Sequence, residues 1–193
     1  ILDEALHVLS VSDVEEVVVS GVSDEDWNHN WKKYFKTTRI TSNLFVKPSW
    51  EEYSPASEDD RIIEIDPGMA FGTGTHPTTT LCIRLLEKYI DEEHKIILDI
   101  GCGSGILSIA SALFGAEKVL GVDIDPIAVR VSKENVEKNR LSQSIEIKQA
   151  DIALGIGFRA DLVVANLMAD LIIRFSEEIK KSLGPGGIFI SSG

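Results

Sequence analysis

ILDIGCGSG, Ile97 to Gly105, is the stretch that decides the fold. An apolar run reads as a buried strand, breaks on alternating glycines, and is followed at once by ILSIASALFG, Ile106 to Gly115, a helix ended by its glycine. Strand, glycine turn and helix make up the repeating unit of a parallel α/β sheet. At the carboxyl end of such a strand, glycines let the backbone approach a ligand with no Cβ in the way. The spacing is G-x-G-x-G. Position 106 is Ile, where the dinucleotide fingerprint G-x-G-x-x-G requires Gly, so a nicotinamide-dependent dehydrogenase is disfavoured.

Downstream, strands and helices keep alternating. KVLGVDID (Lys118 to Asp125) reads as a strand and PIAVRVSKENVEKN (Pro126 to Asn139) as a helix opened by proline. SIEIKQAD (Ser144 to Asp151) and ADLVVANL (Ala160 to Leu167) are further strands. ADLIIRFSEEIKKSLG (Ala169 to Gly184) reads as one helix, and GGIFISSG (Gly186 to Gly193) as a last strand. Asp123 ends its strand where a carboxylate can accept hydrogen bonds from both hydroxyls of a ribose. Asp125, directly before Pro126, is the better helix cap, so one acid caps while the other binds. Asp151 is equally suited to meeting an adenine amino group and to turning the chain. Asn166 comes where its strand emerges from the sheet; its carboxamide can accept a hydrogen bond from an amine, and Asn also suits a turn.

Upstream, Pro77 to Ile90 reads as a helix, preceded by a second small-residue loop, AFGTGTHPTT, Ala70 to Thr79. One tight turn needs one such loop; two suggest a ligand held between them. RIIEIDPG (Arg61 to Gly68) and LFVKPSW (Leu44 to Trp50) are short strands, the latter stopped by Pro48. Ser23, followed by Asp24, Glu25 and Asp26, opens a connector helix with an aromatic face at Trp27 and Trp31. VEEVVVSG (Val14 to Gly21) reads as the end of another small domain, and Ile1 in first position as a trimmed N-terminus.

A chain of 193 residues suffices for one well-buried domain with a little left over. A formal net charge of −12 argues against a generic nucleic-acid binder and suits a basic partner, besides aiding solubility. Neither a secretory leader nor a membrane-spanning run is evident. Cys82 and Cys102 form no CxxC pair, no metal-ligand spacing surrounds them or the four histidines, and a reduced, cytoplasmic compartment is the natural reading. No base is identifiable for Cys102 as a nucleophile, and a buried filler is the usual fate of a free cysteine.

Together, ILDIGCGSG, GVDIDP and VVANL with DPGMAFGTGTHPTT resemble the methyltransferases of large-subunit ribosomal protein eleven, from about Trp27 to Gly193. Glycine turn and acid mark any class I S-adenosylmethionine-dependent enzyme; the AFGTGTHPTT loop is what points to this family. The resemblance implies a Rossmann-like α/β sheet with helices on both faces, preceded by a linker helix and the remnant of a small α+β N-terminal domain. The implied domains are 1–22 (substrate-recognition remnant), 23–60 (linker helix and first strand) and 61–193 (cofactor domain, with the last strands of a seven-stranded sheet missing). By resemblance, Gly101 and Gly103 approach the methionine part of S-adenosylmethionine, Asp123 binds the ribose, Thr79 and Asn166 line the cofactor site, and Phe71, Gly72 and Thr73 lie over it. The implied reaction moves a methyl group from a sulfonium to an amine of a lysine side chain or N-terminus of large-subunit ribosomal protein eleven, a basic protein, by a monomeric enzyme without metal, nucleic acid or membrane. Asn166 would orient the amine; His76 is a weaker candidate as proton acceptor. A class I methyltransferase acting on another protein, a nucleic acid or a small-molecule amine, and a module that binds cofactor without turnover, stay open as alternatives.

Overall fold

The computed structural model describes residues 35–66 and 76–192. Contacts divide the chain into Ile1–Tyr34 and Phe35–Gly193, and only the second unit holds described residues. The expected N-terminal remnant and connector helix lie outside them.

Two sheets form. The smaller has the order β1 (Thr38–Arg39), β2 (Leu44–Lys47), β3 (Arg61–Glu64), with β1 antiparallel and β3 parallel to β2. Leu44, Val46 and Ile63 are buried, and β2 stops before Pro48, as the sequence implies. The outer side of β3 is held by a side chain. Asn139 Oδ1 accepts from the Glu64 N–H at 2.9 Å, and its Nδ2 donates to the Glu64 carbonyl at 2.8 Å. One amide thus supplies the donor and acceptor that a neighbouring strand would. The same Nδ2 also donates to Asn135 O at 2.8 Å. Asn139→Ala is therefore expected to cost about 2 kcal/mol, read as a lower urea midpoint at unchanged slope, because partly buried backbone groups lose their partner.

The larger sheet is parallel throughout. Its strands β4 (Ile96–Ile100), β5 (Lys118–Asp123), β6 (Ile145–Gln149), β7 (Ala160–Asn166) and β8 (Leu183–Ser192) lie in the order β6-β5-β4-β7-β8. Helices α1 (Pro77–Tyr89), α2 (Ile106–Leu113), α3 (Pro126–Lys138), α4 (Ala169–Arg174) and α5 (Ser176–Ser182) connect them. The period of two in each strand splits the core by face. Ile97, Val119 and Leu162 pack with Ile83 and Leu86 of α1 and Ile109 of α2. Leu98, Ile100, Val122 and Val163 pack on the opposite side with Ile179 of α5. Each such fully buried Leu, Ile or Val contributes roughly 1.5–3 kcal/mol.

The helix expected over Ala169 to Gly184 is two helices. At Phe175 the backbone bends to φ −104°, ψ 11°, although its N–H still reaches Leu171 O and its carbonyl still takes the Ile179 N–H. α5 is anchored through buried Ile179, whereas α4 buries none of its residues. The last strand begins at Leu183 opposite Ala160, earlier than expected. The register then shifts before Ile188 pairs with Leu162, and Gly186, at φ 75°, lies in the stretch that absorbs the extra length.

Candidate functional site

Strand order reverses beside β4. The chain runs outward through β5 and β6, then returns to the other flank of β4 as β7. Connections therefore part above the carboxyl ends of β4 and β7, leaving a crevice where open α/β sheets bind ligands. A cleft of about 890 Å³ lies there, the size of a small-molecule site. Gly101, Gly103, Asp123, Asp151, Asn166 and His76 all line it. Residues singled out from five separate stretches of sequence thus converge.

The glycine turn is tied to β5. The N–H groups of Gly101 and Cys102 both donate to Val122 O, at 2.8 and 3.0 Å. Gly101 has φ 70°, and a Cβ there would lie 2.4 Å from Leu167 Cδ2, so backbone conformation and space both require glycine. Asp123 is held from two sides: Oδ2 accepts from the Gly103 N–H at 2.9 Å and Oδ1 from the Asp125 N–H at 3.0 Å. Each carboxylate oxygen has a further lone pair, so the group is oriented and retains capacity for two hydroxyl donors. Asp125 performs the capping expected of it, accepting from the Ile127 N–H at 2.8 Å.

Asn166 and Thr79, 87 positions apart, meet: Asn166 Nδ2 donates to Thr79 Oγ1 at 3.2 Å. That bond turns the amide nitrogen inward and leaves the carbonyl edge for the cleft. Thr79 is buried behind Asn166, and its neighbour Thr78 lines the cavity. His76 caps α1, its Nδ1 accepting from the Thr78 N–H at 3.3 Å. The cap thus engages the Nδ1 lone pair. Phe71, Gly72 and Thr73 lie outside the described residues.

Apolar side chains missed in the sequence complete the wall. Ile124 and Ile152 follow Asp123 and Asp151 and line the same cleft; Leu167, Met168, Leu171 and Phe175 line it after Asn166. Their adjacency to the polar residues was the available signal. A glycine-backed floor, an oriented carboxylate and apolar walls fit a ligand combining a ribose with a flat heterocycle, as S-adenosylmethionine does.

Beneath the turn the chemistry is inert. Burial pushes the Cys82 thiol up to about 11 and the Cys102 thiol further still, the nearby Asp99 carboxyl adding to both. Cys102 Sγ points to Ser132 Oγ at 3.8 Å, so both cysteines are buried packing residues and neither is a nucleophile. Among the described residues no helix is long and apolar enough to cross a membrane.

Comparison with known proteins agrees with this geometry. The family model described as ribosomal protein L11 methyltransferase (PrmA) matches residues 2–193. A ribosomal protein L11 methyltransferase of Alkaliphilus oremlandii is 51% identical over 178 residues, which are 92% of this chain and 56% of that one. One of Oceanobacillus iheyensis is 44% identical over 196 residues, spanning all of this chain and 62% of its own. The crystal structure of ribosomal protein L11 methylase from Lactobacillus delbrueckii subsp. bulgaricus superposes with a TM-score of 0.74 at 30% identity, covering 80% of this chain and 79% of that one. The chain therefore spans a little over half the length of the relatives it matches. With the chain matched by the family model over residues 2–193 and relatives at half identity, the chain belongs to the ribosomal protein L11 methyltransferase family.

Proposed function

We propose that the protein transfers methyl groups from S-adenosylmethionine to amines of ribosomal protein L11, at lysine side chains, the N-terminus or both, in the cytoplasm. The observation that carries this reading is the convergence of the glycine turn, Asp123 and Asn166, the last bonded to buried Thr79, on one cleft. The name shared by its relatives supports the substrate. The net charge of −12 suits a basic partner.

When bound, the cofactor supplies an activated methyl group on a sulfonium, so the protein's part is binding, alignment and exclusion of water. Gly101 and Gly103 admit the methionine portion close to the backbone. Asp123, fixed by two backbone donors, accepts from the ribose hydroxyls, and Ile124 and Ile152 offer apolar contact to the purine. The incoming amine must be neutral, and a lysine at about 10.4 is almost entirely protonated at neutral pH. Apolar Met168 and Leu171 at the cleft favour the neutral form by desolvation. Asn166 then accepts from the amine N–H and points its lone pair along the line of transfer. Once the proton is lost to solvent, this arrangement needs no dedicated base.

Incubation with S-adenosylmethionine and ribosomal protein L11 from unmethylated cells should give a methyl ladder by intact mass. No gain on that protein, with cofactor binding intact, would redirect the reading to other amines. Asn166→Ala should lower kcat on the order of a hundredfold through misalignment, with a much smaller effect on cofactor Kd.

A further inference from the structure

One buried carboxyl has no part in that mechanism. Asp99 lies on β4, two residues before Gly101, facing the same side as Ile97, and has no exposed surface. Ser108 of α2 donates to Oδ2 through its hydroxyl at 2.6 Å, and its backbone N–H also favours the ionised carboxyl. Oδ1 has no hydrogen-bond partner among the described residues. Gly121 of β5 flanks it in register on one side and Val164 of β7 on the other, neither titratable. The titratable groups coupled to it are Cys82 of α1, Cys102 of the glycine turn and Asp123 at the end of β5. The thiols are neutral and Asp123 is an anion; no cation among the described residues acts on Asp99. A carboxyl in such company keeps its proton, and burial holds it to about 7, with Asp123 pushing the same way.

The Asp123 carboxylate reaches Asp99 across the glycine turn. A cation seated on Gly101 and Gly103 would act through the same short path with the opposite sign. We propose that Asp99 is a positioning residue that senses the charge of the cofactor, ionising when the sulfonium binds and recovering its proton when methyl transfer leaves a neutral thioether. The proposal rests on the S-adenosylmethionine reading. Its balance is simple: one proton passes from Asp99 to solvent as the cation enters, and one returns as the cationic charge leaves with the methyl group. The substrate cofactor thereby gains a buried counter-ion that the product lacks, so the site favours charged cofactor over spent cofactor.

Calorimetric titration of the protein with S-adenosylmethionine near pH 6.5, in two buffers of different ionisation enthalpy, should show release of a large fraction of one proton. S-adenosylhomocysteine should release far less. The Kd for S-adenosylmethionine should fall on the order of tenfold from about pH 6 to about pH 8, relative to that for S-adenosylhomocysteine. The ligands' amino groups also titrate, so the control is Asp99→Asn, which should flatten the trend in the ratio. Ser108→Ala, which removes a donor to the ionised form, should move the midpoint to higher pH and serves if the asparagine variant does not fold. Binding with no proton release in the unaltered protein, or an unchanged trend in Asp99→Asn, overturns the proposal alone. No binding of S-adenosylmethionine at any pH overturns the cofactor reading and this proposal with it.

Discussion

Gly101→Ala is expected to cost about 2 kcal/mol of stability and roughly a hundredfold in affinity for S-adenosylmethionine. The first part is conformational. At φ 70° the backbone is left-handed, which costs an L side chain about 1–2 kcal/mol. The second part is steric. The new Cβ would lie 2.4 Å from Leu167 Cδ2 and 3.2 Å from its Cγ, so Leu167 must move. Leu167 lines the cleft and directly follows Asn166, so its displacement intrudes on the space the ligand needs. The turn cannot retreat instead, because Gly101 and Cys102 are both bonded to Val122 O. Urea midpoints and cofactor titration separate the two losses. In the double variant with Leu167→Ala the steric part should be relieved while the conformational part stays. Unchanged affinity in Gly101→Ala would show that the ligand does not rest on this turn.

The same turn shows why much of the site was legible in the sequence. KIILDIG and KVLGVDID are apolar along almost their whole length, which only a strand covered on both faces tolerates, so the parallel sheet followed directly. Each polar residue at a strand's carboxyl end then had to lie near the crevice, as Asp123 and Asn166 do. What escaped depends on contacts distant in sequence. The Asn166–Thr79 bond joins β7 to α1, and nothing local to either stretch announces it. His76 is an uncommon cap and was weighed only as a proton acceptor. Two-residue β1 has too little pattern to register, and Asn139 standing in for a strand against β3 is a tertiary event. The bend at Phe175 escaped because helical periodicity runs through it. Asp99 was visible as a carboxylate inside an apolar strand, but its missing second partner is a property of the packed core.

Burial of Asp99 also makes folding depend on pH. From about pH 4 to about pH 7 the folded chain holds a proton on Asp99 that the unfolded chain has already released. The folded state therefore binds more protons in this window, and stability falls as pH rises through it, levelling above about 7. A carboxyl held at about 7 against an ordinary 3.8 implies a loss on the order of 4 kcal/mol across the window. Asp66, beside Lys138 and Ser49, and Asp91, beside His94, are held below the ordinary range and contribute the opposite slope, lost as pH falls beneath about 4. Their window lies below that of Asp99 and does not mask it. Asp99→Asn removes the titrating group and keeps an oxygen for the Ser108 hydroxyl, while its amide nitrogen brings a constant penalty of about 1–3 kcal/mol. The stability of the variant relative to the unaltered chain should thus rise by about 3 kcal/mol from about pH 4.5 to about pH 8, whatever the constant offset. Urea titrations of both proteins across that range give the comparison. Parallel curves would mean that Asp99 is already ionised in the folded core.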